Sequence, residues 1–308
     1  MKKVMMFLTL IVLVSTLIAC QPEEEPIVEE PPKTYSKIYG YEYDPEAIDD
    51  YELVWSDEFD YEGLPDSTKW NYDVGGHGWG NNELQFYTST QNASVSNGIL
   101  TIEARKEDYP STENKTHSWT SARMVTRNKG DFKWGRIEVS AKLPTGKGTW
   151  PAIWMLPTNW SYGDWPNSGE IDIMEHVGYD QNKIHASIHT EAYNHVKGTQ
   201  KSGQKVIPTA STEFHVYSVE WFPDQMIFSI DGEPYFTFDP FRFVSEPKNR
   251  HWPFDREFHL LLNIAIGGNW GAAQGMDPEL NYAKMEVDYV RIYQSPTIQN
   301  LKRNIPQS

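Results

Sequence analysis

A single cysteine, Cys20, occurs in 308 residues, so no intramolecular disulfide can staple the chain and its fold must rest on a hydrophobic core. Basic residues are also scarce. Lys and Arg number 27 against 43 Asp and Glu, a formal net charge of −16, which argues against nucleic acid as a partner because phosphates need a basic surface. An uncharged polymer is the easier ligand. From Tyr51 onward no long segment carries the 3.6-residue period of a helix, which removes helical bundles from consideration. Aromatics, by contrast, are abundant: 12 Trp and 17 Tyr exceed what a core alone requires and suit a groove that stacks against flat faces such as those of sugars.

Lys2 and Lys3, an apolar stretch from Val4 to Ile18 and a small-residue end at Ala19-Cys20 make residues 1–19 a secretory signal peptide. Leu17-Ile18-Ala19-Cys20 resembles the bacterial lipobox, which implies that Cys20 is lipidated; a chance buried thiol is the other reading. Residues 20–45 then form an acidic, Pro-rich linker, extended and solvated. Its acidic run after Cys20 resembles the surface-export tract of Bacteroidetes lipoproteins, implying a cell-envelope lipoprotein of the outer membrane, exposed at the surface. The only membrane contact expected is this lipid anchor.

Beyond the linker, short β runs alternate with turn clusters. Expected strands are Glu52–Trp55, Ala93–Ser96, Leu100–Ala104, Arg136–Lys142, Ala152–Leu156 and Glu170–Glu175. Further ones are Ile184–His189, His215–Trp221, Met226–Ile230, Glu233–Phe238, His259–Ala265 and Lys284–Gln294, with Asp231-Gly232 as a two-residue hairpin turn. So many strands with so little helix predict an all-β sandwich or barrel. One domain is expected over 46–295, followed by a short polar tail over 296–308.

The chemistry is concentrated in Trp165–Gly178, where Glu170, Asp172 and Glu175 fall within six residues. Ile171, Ile173 and Val177 are β-branched, so the stretch is a strand. Its period of two puts Glu170 and Asp172 on one face and Glu175 on the other. A β-bulge at Ile173-Met174 would restore Glu175 to the face of the other acids. Like charges on one face repel, which makes a purely structural role hard to justify. A calcium site is another possibility, although it would favour carbonyls and a loop. Paired carboxylates are what glycosidic hydrolysis uses, with a retaining pair about 5–5.5 Å apart. Nearby, Trp150, Ala152 and Trp154 share a strand face, and stacking platform and core packing are equally good readings of it. His185 and His189 also share a face, without a third zinc ligand at recognisable spacing.

Glu170-Ile-Asp-Ile-Met-Glu175 resembles the bulged motif of glycoside hydrolase family 16, in its laminarinase branch. Residues 79–88, 146–157, 215–221, 262–270 and 287–293 resemble the same branch. This resemblance implies a β-jelly roll of two antiparallel sheets with a concave substrate groove. It also implies a retaining endo-1,3-β-glucanase acting on laminarin-type β-glucan, with mixed-linked β-1,3-1,4-glucan also open to cleavage. Glu170 would be the nucleophile, Glu175 the acid/base and Asp172 their modulator. Trp150, Trp154, Trp165, His189, Arg123 and Asn81 would bind substrate. Catalysis needs no cofactor; a structural Ca²⁺ is implied at Glu58, Gly98 and Asp288, and the enzyme would be a monomer. Agarase, carrageenase or lichenase activity, or a non-catalytic surface glycan-binding lipoprotein, are the alternatives.

Overall fold

Residues 43–111 and 116–301 are described by the computed structural model, so the signal peptide, Cys20 and all but the end of the linker lie outside the described residues. Among the described residues, fourteen strands of four or more residues carry the fold. In chain order they begin with β1 (Glu52–Asp57), β2 (Ala93–Ser96), β3 (Ile99–Arg105), β4 (Thr120–Val125), β5 (Gly135–Lys142), β6 (Thr149–Pro157) and β7 (Glu170–His176). They continue with β8 (Lys183–His189), β9 (Lys201–Val206), β10 (His215–Trp221), β11 (Met226–Ile230), β12 (Glu233–Phe238), β13 (Phe258–Ile266) and β14 (Tyr282–Gln294). Every strand expected from the alternation is present. The Asp231-Gly232 turn has φ of 53° and 79°, the positive pair that a tight hairpin requires.

The outer layer runs β12-β11-β10-β5-β14, and the far edge of β14 is shared by β1 and β3. The inner layer runs β9-β8-β7-β6-β13-β4. Between them lies an aliphatic core to which alternate residues contribute: Ile137, Val139 and Ala141 from β5, Ile184, Ala186 and Ile188 from β8, and Leu260, Leu262 and Ile264 from β13, all fully buried. At about 25 cal/mol per Å² of apolar surface removed from water, this interior is the main stabilising term in a protein without disulfides.

The two layers of this jelly roll are not separate sheets. The first half of β4 pairs in parallel with Phe86–Thr88 of the outer layer, and its second half pairs with β13 of the inner one. A single strand therefore turns the corner, and hydrogen bonding is continuous through 17 strands.

Both ends of the domain depart from expectation. Residues 296–299 are a short α-helix, Pro296–Gln299, rather than the start of a polar tail, because Ile298 is 1% exposed and completes the core. Asp50 fastens this end by accepting from the Ser295 hydroxyl and from the backbone N–H of Thr297. Tyr43, inside the expected linker, stacks on Phe222 at 5.9 Å and donates its hydroxyl to Asp224. The packed domain thus begins earlier and ends later than 46–295.

Candidate active site

The bulge on β7 is present and it organises the site. On the β6 side, Ala152 faces Glu175, Ile153 faces Met174 and Trp154 faces Asp172, which leaves Ile173 without a partner. On the β8 side, Ser187 faces Asp172 and His185 faces Glu175, so Ala186 alone opposes Ile173-Met174. Ile171, Ile173 and Met174 are at most 1% exposed and point into the core. Glu170, Asp172 and Glu175 are thereby left together on the groove face, with His189 across from Glu170.

Each glutamate receives one indole N–H: Trp165 Nε1 donates to Glu170 Oε2 at 2.9 Å, and Trp150 Nε1 donates to Glu175 Oε1 at 3.1 Å. His189 Nε2 lies 3.2 Å from Asp172 Oδ2 and 3.8 Å from Glu170 Oε1. Burial raises the pKa of all three carboxyls. Glu170 is pushed up to about 8, first by desolvation and then by the charge of Asp172, while His189 and the Trp165 N–H work in the other direction. Glu175 is held well above the usual carboxylate range by burial and by its two acidic neighbours. Desolvation likewise raises Asp172, opposed by a hydrogen bond with Glu170. Glu170 keeps 16% of its side-chain surface open, enough for a ligand to approach. Among the described residues, Glu170, Asp172 and His189 are the group whose possible metal-ligating atoms lie within 4.8 Å of one another.

The acids line a groove of about 420 Å³ whose walls include Trp150, Trp154, Trp165, Arg123 and Asn81. All three tryptophans are half-buried, and the strand face of Trp150, Ala152 and Trp154 lines the groove. Arg123 is sandwiched between two indoles, 4.6 Å from the ring of Trp79 and 4.7 Å from that of Trp154, and pairs with Asp73 at 3.0 Å. Asn81 donates to Glu83 at 3.3 Å, and Glu83 also accepts from Gln85 at 2.7 Å. Trp154 Nε1 donates to Asn263 at 2.7 Å, and Asn263 in turn donates to the Tyr87 hydroxyl at 3.0 Å. Sequence reasoning did not single out Glu83, Tyr87 or Asn263. Their alternation in Glu83-Leu-Gln-Phe-Tyr87 and on β13 was the available signal. His185 lies on the acid-bearing face and meets the Trp270 ring edge-on at 5.0 Å.

The three positions expected to hold calcium converge at one edge of β14. Asp57, next to Glu58, pairs with Val290, and Leu100, two residues after Gly98, pairs with Val287. Asp288 falls between them and is skipped in the register with β5. The Glu58 carboxylate, however, accepts from Arg291 Nε at 3.0 Å and from Nη2 at 2.7 Å, which holds its pKa below the usual carboxylate range. It is an arginine counter-ion, so a calcium ion here would rely on Asp288 and main-chain oxygens.

Comparison with known proteins gives the family. Residues 80–291 match the model of glycosyl hydrolases family 16. The chain is 55% identical over 249 residues to a beta-glucanase of Rhodothermus marinus, covering 79% of this chain and 85% of that protein. It superposes with a TM-score of 0.76 on the X-ray structure of the laminarinase from Rhodothermus marinus, at 54% identity, over 80% of this chain and 98% of that one. The same TM-score of 0.76, at 45% identity over 84% of this chain and 100% of the other, relates it to SCLam, a non-specific endo-beta-1,3(4)-glucanase crystallised with an oligosaccharide at its active site. The chain belongs to glycosyl hydrolases family 16.

Proposed function

We propose that this protein is a retaining endo-hydrolase of β-1,3-glucan that also accepts mixed-linked β-1,3-1,4-glucan. The observation that carries the reading is the bulge at Ile173-Met174, which returns Glu175 to the face of Glu170 and Asp172 in an indole-walled groove. Glu170 attacks the anomeric carbon while Glu175 gives its proton to the leaving oxygen. Glu175 then takes a proton from water, which attacks the same carbon and releases Glu170. Burial raises both glutamates, and His189 and one indole N–H oppose the rise at each, so the assignment of nucleophile and acid/base follows the family resemblance; the raised pKa of Glu175 suits a proton donor at neutral pH. Asp172 shares charge and proton with Glu170. Trp150, Trp154, Trp165, His189, Arg123 and Asn81 bind the sugar chain. Similarity to laminarinases and to a β-1,3(4)-glucanase supports the substrate class. Release of reducing sugar from laminarin, with retention at the anomeric centre and its loss in Glu170→Ala, is expected. A folded chain inert on laminarin and lichenan would overturn the reading.

Three accessory properties complete it. The Leu17–Cys20 sequence supports a lipid anchor and the acidic run after it supports exposure at the cell surface; the enzyme is proposed to act as a monomer, and Cys20→Ser should move it from the membrane to the soluble fraction. Calcium at Asp288 should raise the melting temperature, an increase that Asp288→Ala abolishes; melting curves identical with calcium and with chelator would reject it.

A further inference from the structure

His189 reaches both Asp172 and Glu170 through Nε2, yet its other ring nitrogen has no hydrogen-bond partner among the described residues, although it is buried. A histidine that works beside carboxylates normally has its tautomer and orientation fixed by a bond at the second nitrogen. Among the described residues, the ring is instead met by aromatic packing. His195 stands nearly perpendicular to His189, at 5.2 Å and 83°, and lies 5.0 Å from Trp165. Trp165 itself is 6.0 Å from His189 and donates to Glu170. The three rings touch pairwise, so His195 and Trp165 flank the His189 imidazole.

His195 is firmly presented. It opens a one-turn 3₁₀ helix, His195–Lys197, whose cap Asn194 is 1% exposed. The Asn194 amide donates to the carbonyls of Thr190 and Glu191 at 3.0 and 3.2 Å, and its Oδ1 accepts from Lys197 N at 3.1 Å. Gly198, at φ 65°, closes the turn in the left-handed region. The ring lines the same groove as Glu170 and Asp172 and is met by His189 from β8, while Lys197 of its own turn donates to the Glu191 carbonyl.

We propose that His195 is a positioning residue: its ring holds His189 with Nε2 turned toward Asp172 and Glu170, in place of the absent bond at Nδ1. The inference rests on the hydrolytic reading of the site, and the test separates the two. Wild type, His195→Ala and His195→Phe are compared on laminarin, with melting curves to confirm folding. Ala should lower kcat about tenfold with KM little changed, since misorientation beside the reacting centre costs rate. Phe keeps the flat wall and should restore most of kcat. Independently of activity, ¹⁵N shifts of the His189 ring should report one tautomer in wild type and Phe, and a mixture in Ala. The proposal is overturned if Ala matches wild type, if only KM rises, or if Phe is as impaired as Ala. A wild type without hydrolysis would sink the functional reading instead, and a tautomer unchanged in folded Ala would still sink this one.

Discussion

Glu170 and Glu175 share a strand and receive one indole N–H each, so the test of their proposed roles as nucleophile and acid/base is chemical. In Glu175→Ala, azide should restore activity on substrates with an activated leaving group and give the β-glycosyl azide, because it attacks the intermediate on Glu170 and needs no base. In Glu170→Ala no intermediate forms, so direct attack should give the α-azide. Product NMR reads the anomer, and exchanged anomers would reverse the assignment. The same acids oppose folding. Glu170 goes from an ordinary 4.5 to about 8 in the folded protein, so between these values the folded state binds more protons than the unfolded one. Stability is therefore lost as pH rises through that window. Glu170→Gln should melt above wild type at pH 8 and lose that advantage at pH 4, as thermal scans would register; an advantage equal at both pH values would contradict the burial argument.

At the scale of elements, the bulge on β7 is a phase correction. Deleting Met174 leaves Glu-Ile-Asp-Ile-Glu, a regular alternation with all three acids on one face. This variant should hydrolyse laminarin slowly, yet faster than Glu175→Ala; a folded deletion no more active than that variant would refute the face argument. This element was legible because only a bulge reconciles β-branched residues with three acids on one side. β4 was not legible: Thr120, Ser121, Ala122 and Met124 are all fully buried, which erases the alternation that marks a half-exposed strand. β9 was hidden for a different reason. It is a polar edge strand containing Gly203, where a Cβ would lie 2.4 Å from the Phe236 Cβ, so close packing selects a residue that strand propensity disfavours. In the site, the acids and tryptophans declared themselves by spacing, whereas Asn263 matters through Trp154 and Tyr87, partners distant in sequence that only the fold supplies.

For the whole molecule, the ends matter more than their composition suggests. With no disulfide, the contacts of Asp50 with Ser295 and Thr297 and the burial of Ile298 close the sandwich. Ile298→Ala should cost about 2–5 kcal/mol, the usual range for emptying a core position. Chemical denaturation would measure it, and a loss below about 0.5 kcal/mol, the size of a surface substitution, would show that the terminal helix is ornamental. The corner strand β4 carries a different consequence. Its residues pair at one end with the outer layer and at the other, through Arg123, with the sugar-binding layer. Neither layer can open far without breaking that strand, so the groove draws on the cooperative unfolding unit of the entire domain. Its amides, including those beneath Arg123, should exchange with deuterium only as fast as the protein unfolds globally.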